Sequence, residues 1–288
     1  MSSIALLKWG FIAVALTVLV AGKQHVQRYK TAKRVDIFRQ RAGDIGQFRD
    51  ILKSAKNHPA NALPPTSRYK WKTQDSNGNY QIPYVIKGPF IRSEYRMILS
   101  AMLRIEKNTC IRFTTRKQER DHIYILNREG DGCYSYVGNH GGRGNVNLES
   151  SSSASCMYDD IVIHELLHAV GLWHEHMRHD RDKFIKVHYE NIERGMAPQF
   201  AKIPPKDGVT YGVPYDYRSV MHYDKSAFAK RSGLITMETL DKSAQNAIGT
   251  AKDANAHDYG KVCAIYGCET CPGMPGYDLD ELRKNSNI

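Results

Sequence analysis

Two histidines in the middle of the chain have the spacing of paired metal ligands. His164 and His168 are four residues apart, so on a helix they lie on the same face, one turn from each other. Gly171 follows where such a helix would end, because glycine adopts a left-handed turn without steric cost. The chain can then turn back and present His174 as a third imidazole. Three imidazoles and one open position are typical of catalytic zinc sites, whereas structural zinc usually has four protein ligands.

Glu165 directly follows the first of these histidines and is expected to point at the open position. There its carboxylate can take a proton from a water molecule that zinc activates. We therefore predict a hydrolase with one Zn²⁺ per chain and Glu165 as the general base. The simpler alternative, a helix with two core histidines, does not explain why Glu165, Gly171 and His174 are all in register.

The residues after His174 extend this motif in a way that identifies a family. They complete the run His-Glu-x-x-Arg-x-Asp-Arg-Asp, which ends at Asp182. Residues 219–223, Ser-Val-Met-His-Tyr, follow downstream. Both segments resemble the extended signature and the Met-turn of the astacin metalloproteases. Further matches lie at Thr109–Phe113 and Gly132–Gly138, and the resemblance runs from about Leu63 to Cys268.

The resemblance implies both a fold and a function. The implied fold is an α+β metzincin domain of two subdomains, with a twisted mixed β-sheet, long helices and a deep active-site cleft. The implied function is a secreted zinc endopeptidase that acts on protein or peptide substrates. The rival from another class is a binding protein that keeps zinc for structure, but such a protein has no need of Glu165. The biological role and the cleavage preference stay open, and we expect a monomer.

The resemblance also implies roles for residues outside the zinc motif. Tyr223 becomes a fifth, movable zinc ligand that hydrogen-bonds the transition-state oxyanion, and Met221 an apolar floor beneath the metal. Glu175 is the carboxylate toward which the amino terminus of a matured astacin is drawn. An extended substrate is expected to add as a strand to a short edge strand formed by Asn145, Val146, Asn147 and Leu148.

The six cysteines indicate an oxidising compartment. The resemblance implies two disulfides, Cys110–Cys268 and Cys133–Cys156. Cys263 and Cys271 remain, and they can pair with each other. Cys263 stands where the family usually has Asn, and Cys271 lies beyond the usual end of the domain, so this third pairing is left open.

The N-terminal quarter differs in composition from the rest of the chain. The apolar run from Trp9 to Val20 is too short to span a bilayer of about 30 Å comfortably and is typical of a signal-peptide core. We predict a signal peptide at 1–22, a propeptide at 23–61, a peptidase domain at 62–271 and a short polar tail at 272–288. Because basic residues follow the apolar run more densely than they precede it, an uncleaved signal anchor is the alternative.

The predicted propeptide contains Gly43-Asp44, which matches part of the Phe-x-Gly-Asp element of astacin proenzymes, although Arg41 stands at the Phe position. In that family the aspartate binds zinc and blocks catalysis. We therefore predict Asp44 as a zinc switch. No basic residue directly precedes Asn61-Ala62, the expected activation site, so the activating protease is unknown.

The positive charge of the chain is concentrated in the same segment. Residues 23–61 contain ten Lys or Arg and three Asp or Glu, a net of +7, against +11 for the whole chain. The rest of the chain has no basic stripe interleaved with aromatic residues, so nucleic-acid binding is not expected.

Overall fold

The computed structural model describes residues 32–37, 62–203, 209–276 and 278. The predicted signal peptide, most of the predicted propeptide including Asp44, and most of the polar tail lie outside these residues. The zinc motif, the Met-turn and all six cysteines lie within them.

A five-stranded mixed sheet forms the part of the domain that precedes the helix Asp159–Val170 in the chain. Its strands are β2 (Tyr80–Lys87), β3 (Ile111–Thr115), β4 (His122–Leu126), β5 (Cys133–Ser135) and β6 (Arg143–Leu148), in the order β3-β2-β4-β6-β5. The neighbours β3/β2, β2/β4 and β4/β6 are parallel, and only β5 runs antiparallel, against β6. The expected α+β fold with a mixed sheet is confirmed.

The predicted edge strand at residues 145–148 is wrong, because β6 has neighbours on both sides. Tyr124 pairs with Asn145 on one side, and Tyr134 pairs with Asn147 on the other. The side chain of Asn147 is buried and holds two loops. Its amide donates to the carbonyl of Gly132 at 2.6 Å, and its side-chain oxygen accepts from the backbone N–H of Arg128 at 3.0 Å. Among the described strands, β5 occupies this edge of the sheet.

Among the described residues, three helices pack with the sheet: α1 (Arg92–Asn108), α2 (Asp159–Val170) and α3 (Ala256–Tyr266). α1 is amphipathic and buries Ile98, Ala101, Met102 and Ile105, the i, i+3, i+4, i+7 stripe of a helix that covers a core. In contrast, α2 is buried from Ile161 to Val170. A helix that is buried on all sides belongs to the middle of a domain, so α2 is a rigid support for the polar side chains that it carries.

The half of the chain after α2 is more irregular. Short 3-10 turns alternate there with a two-stranded antiparallel ribbon, β8 (Ile185–Val187) and β9 (Met237–Thr239). This half has its own apolar core, which includes Phe200, Tyr223 and Phe228. The sheet and the three helices share the larger core. Two cores are what the predicted two-subdomain architecture requires.

Two described stretches near the N-terminus lie against α2 or the strand that precedes it. Lys33–Arg34 (β1) pairs in parallel with Ala154–Ser155 (β7), just before α2. Ala62 and Leu63 are buried against the end of α2, where the Leu63 N–H donates to the Gly171 carbonyl at 3.1 Å.

Three disulfides join all six cysteines: Cys110–Cys268, Cys133–Cys156 and Cys263–Cys271. The first two are the pairs that the resemblance implied, and the third answers the question that the sequence left open. Three bridges in one domain are consistent with the secretory pathway. In the described part of the chain, no helix is long and apolar enough to cross a membrane.

Candidate metal centre

The buried helix α2 carries the first two metal-ligand candidates on one face. Its last turn ends at Gly171, whose N–H donates to the carbonyls of His168 and Leu167. Gly171 has φ +134°, and a Cβ there would come within 2.9 Å of the Leu63 side chain. Both the backbone conformation and the close approach of Leu63 therefore require glycine, as the sequence predicted. The chain reverses here and brings His174 back to the helix.

The three imidazoles converge on one point. The Nε2 atom of His168 lies 3.1 Å from Nε2 of His164 and 3.2 Å from Nε2 of His174. Two zinc–nitrogen bonds of about 2.0–2.1 Å at a tetrahedral angle separate their nitrogens by about 3.3 Å. All three side chains are fully buried, and they form the one metal-binding group of this kind among the described residues. The donor set fits a zinc ion.

Backbone carbonyls fix the tautomers of the two helical ligands. Nδ1 of His164 is 2.7 Å from the Val220 carbonyl oxygen, and Nδ1 of His168 is 2.7 Å from that of Leu172. A carbonyl oxygen can only accept, so each Nδ1 must carry the proton. Each Nε2 is then left with its lone pair directed to the metal, which is the usual outer-shell arrangement of a ligating histidine.

Glu165 and Met221 occupy the interior of the same region. Glu165 follows His164 on α2 and is fully buried. Met221 is buried in the larger core, and its carbonyl accepts from the N–H of Glu175 at 2.9 Å. The Met-turn is thus tied directly to the residue that follows the third ligand.

Tyr223 lies against the third ligand. The centroid of its ring lies 4.4 Å from that of His174. The same ring stacks on that of His176, with 4.1 Å between the centroids. Its hydroxyl points to the side-chain oxygen of Gln199, at 3.4 Å. The structure therefore brings Tyr223 to the metal centre. Gln199 had no signal in the sequence, because it comes from a 3-10 turn (Ala197–Phe200) that only the tertiary fold brings here.

Glu175 is the anion of a buried ion-pair network. One carboxylate oxygen contacts the Lys261 ammonium, and the other accepts from Arg178 at 3.1 Å and from the Asp216 N–H at 3.0 Å. Burial raises the pKa of Glu175, but the charges of Lys261 and Arg178 outweigh it and hold the pKa below its usual value. Lys261, on α3, was not found by sequence reasoning.

Asp258, one turn before Lys261 on α3, supports the Met-turn. Its carboxylate accepts from the Ser219 hydroxyl at 2.5 Å and from the Val220 N–H at 3.2 Å. Since the Val220 carbonyl holds His164, Asp258 is a positioning residue for the first ligand. Burial raises the pKa of Asp258 to about 6, from a usual 3.8.

This shift predicts a pH-dependent stability. As the pH falls through 6, the folded protein binds a proton at Asp258 that the unfolded chain binds only near pH 3.8. The free energy of unfolding should therefore rise relative to that of Asp258→Asn, by about 2 kcal/mol between pH 7 and pH 4. Denaturant titrations of both proteins at the two pH values, with disulfides intact, test this. Asp253→Asn, which changes an exposed carboxylate, is the control, and a constant difference between wild type and Asp258→Asn would contradict the expectation.

Comparison with known proteins shows which protein family has this metal centre. The family model for the astacin peptidases matches residues 67–267, which contain the three histidines and the Met-turn. The chain belongs to the astacin family. The three histidines are accordingly the zinc ligands of an astacin domain.

Individual astacins match the same part of the chain. Zinc metalloproteinase nas-5 of Caenorhabditis elegans is 52% identical over 212 residues, which are 73% of this chain and 59% of that protein. The astacin-like metalloendopeptidase of Coturnix japonica is 37% identical over 198 residues, 69% of this chain and 46% of that one. The chain thus spans about half to three-fifths of the length of these curated relatives.

A solved astacin structure agrees with the fold. High choriolytic enzyme 1, a hatching-enzyme zinc protease of the medaka Oryzias latipes, superimposes with a TM-score of 0.64 at 34% identity. The match covers 71% of this chain and 97% of that one. The likeness therefore extends over essentially the whole of the medaka chain.

Proposed function

We propose that this astacin is a zinc-dependent endopeptidase, made as a secreted precursor and latent until its propeptide is removed. The observation that carries the proposal is the convergence of three buried imidazoles on one point, with Glu165 between two of them on α2. A zinc site that served only structure would not require a carboxylate at that position.

The chain's own residues supply the acid–base chemistry. Zinc, when bound, acidifies water and polarises the scissile carbonyl. Glu165 takes the proton from the attacking water and passes it to the leaving amine. Tyr223, which lies against His174, donates a hydrogen bond to the developing oxyanion. The carbonyls of Val220 and Leu172 keep the imidazoles oriented through the cycle.

An extended substrate is best placed on β5 instead of β6. β6 already pairs with β4 and β5, while β5 pairs only with β6 among the described strands. A peptide that adds to this edge gains main-chain hydrogen bonds irrespective of its sequence. The disulfide Cys133–Cys156 ties β5 to the segment that leads into α2, so the substrate strand and the metal ligands keep their relative positions.

Latency is proposed from residues 23–61. Part of this segment, residues 32–37, lies against the peptidase portion just before α2. Asp44 lies outside the described residues, and its role as the ligand that blocks the zinc stays a proposal. In the uncleaved chain, the Glu175 carboxylate is already paired with Lys261 and Arg178.

The test uses full-length protein from an oxidising expression host, before and after limited trypsin digestion. Trypsin cuts after the Lys and Arg residues that are concentrated in residues 23–61, and a serine-protease inhibitor then stops it. We expect cleavage of a quenched peptide library only after digestion, and its loss with a zinc chelator. A processed protein that binds zinc stoichiometrically and cuts no peptide would favour the binding-protein function instead.

A further inference from the structure

An arginine side chain of the N-terminal segment lies over the start of α2, where the side chain of Arg34 is 40% exposed and that of its partner Asp160 11%. The guanidinium of Arg34 makes two hydrogen bonds to the carboxylate of Asp160, one of them 3.0 Å from Nη1 to Oδ1. Its Cζ atom lies 4.5 Å from the ring centroid of Tyr158. A planar cation is thus held by a bidentate carboxylate on one side and an aromatic face on another, which are the two contacts that guanidinium prefers.

The segment around Arg34 is bound as a ligand would be. The N–H of Lys33 donates to Ser153 at 3.1 Å, and that of Val35 donates to Ser155 at 2.8 Å. Three residues after Arg34, the Ile37 side chain is only 6% exposed and belongs to the larger core. Main-chain pairing, one charged anchor and one apolar anchor are the elements of recognition by strand addition.

The contact between Arg34 and Asp160 adjoins the metal centre. Asp160 precedes His164 by four residues on α2, so the two side chains lie on the same helix face, one turn apart. Val220, which lines the same pocket as Arg34, Ile37 and Asp160, is also the residue whose carbonyl holds His164. Asp160 is thus one helical turn from the first metal ligand and beside the Met-turn residue that holds this ligand.

We propose that Asp160 and Tyr158 form a subsite for an arginine side chain of the substrate, which Arg34 occupies until the propeptide is removed. The inference rests on the proposed function and names a specificity that this function leaves open. Asp160 is then the specificity-determining residue. Arginine is favoured over lysine, because only the guanidinium can bind the carboxylate bidentately and stack on the ring.

A neighbouring cation does not fill the subsite. The Lys252 ammonium lies 3.9 Å from Asp160 Oδ2, but its side chain is 83% exposed. An exposed pair at this distance is weak and screened by salt. Removal of Arg34 would therefore leave the carboxylate open to another guanidinium.

The first arm of the test measures cleavage by trypsin-processed full-length protein. One quenched peptide is made with Arg, Lys or Gln at each position flanking the scissile bond in turn. We expect kcat/KM to be about 3–10-fold higher for Arg than for Gln at one position, the range for a partly exposed ion pair with an aromatic contact. Asp160→Asn should remove this preference, so that this variant cleaves the Arg and Gln peptides at similar rates. Asp159→Asn is the matched control, since its exposed carboxylate faces Arg104 instead.

The second arm needs no catalysis. The peptide Ala32–Ile37 is titrated into processed protein, beside the same peptide with Arg34→Gln. We expect about 3–10-fold weaker binding of the Gln peptide, and equal binding of the two peptides by Asp160→Asn. Equal binding by the wild type would overturn the proposal. So would Asp160-dependent binding without any Arg preference in cleavage, because the contact would then only anchor the precursor. If no peptide is cut at all, the proposed function fails, and the binding arm alone decides whether Asp160 is an arginine site.

Discussion

Glu165→Gln is expected to lower kcat/KM for peptide hydrolysis by about 10²–10⁴, the usual contribution of a general base. Glutamine has nearly the shape of glutamate but cannot accept the proton of the attacking water. The zinc content should stay at one ion per chain, because the three imidazole ligands are untouched. Steady-state cleavage of one quenched peptide, with metal analysis on the same samples, measures both quantities.

A matched change of an exposed glutamate separates chemistry from folding. Glu193 lies on the surface of the irregular half of the domain, so Glu193→Gln should leave kcat/KM unchanged. If Glu165→Gln kept zinc and more than a tenth of the wild-type rate, the general base would have to be another group. If it lost zinc, the substitution would report on the site's structure and not on proton transfer.

Lys261→Met is expected to lower the free energy of unfolding by about 3 kcal/mol or more, the cost of leaving a buried charge without its partner. Both members of the pair are inaccessible, with Lys261 1% exposed and Glu175 fully buried. Arg178 remains near Glu175, but its guanidinium also donates a hydrogen bond to the Asp180 carboxylate, 2.9 Å from Nε to Oδ1. Denaturant titrations of wild type and variant at pH 7, with disulfides intact, measure the loss.

The double variant Glu175→Gln, Lys261→Met tests whether the loss comes from the pair. Replacing both charges removes the uncompensated carboxylate, so the double variant should be more stable than Lys261→Met alone. If the stability loss of the double variant equalled the sum of the losses of Glu175→Gln and Lys261→Met, the two side chains would not act as a pair. Lys202→Met changes an exposed lysine that faces Asp182 and should cost little.

The sequence predicted best what depends on local spacing. The positions of His164, His168 and Gly171 follow from helical periodicity and from the left-handed turn that glycine allows, and the structure has them as expected. His174 is placed by the same short reversal. The mixed sheet was predicted from the family resemblance. That resemblance rests on motifs spread along the chain and not on any single segment.

Features that depend on distant segments were missed or mistaken. The family resemblance implied a strand edge at residues 145–148, whereas Asn147 there hydrogen-bonds two loops from a buried position. The partners of Glu175 were not foreseen, since Lys261 lies 86 positions away in the chain. The contact of Arg34 with Asp160 spans 126 positions. The hydrophobic periodicity of one segment carries no information about such long-range contacts, because they form only when distant segments pack together.

The most direct test of the zinc-peptidase account is a titration of metal-depleted, trypsin-processed protein with Zn²⁺. Bound zinc and peptide cleavage are followed on the same samples. The three converging imidazoles predict that activity rises in proportion to bound zinc and levels off at one ion per chain. His174→Ala should fail to recover activity at that ratio. Full cleavage by the metal-free protein, or one tightly bound zinc with no cleavage, would contradict the account.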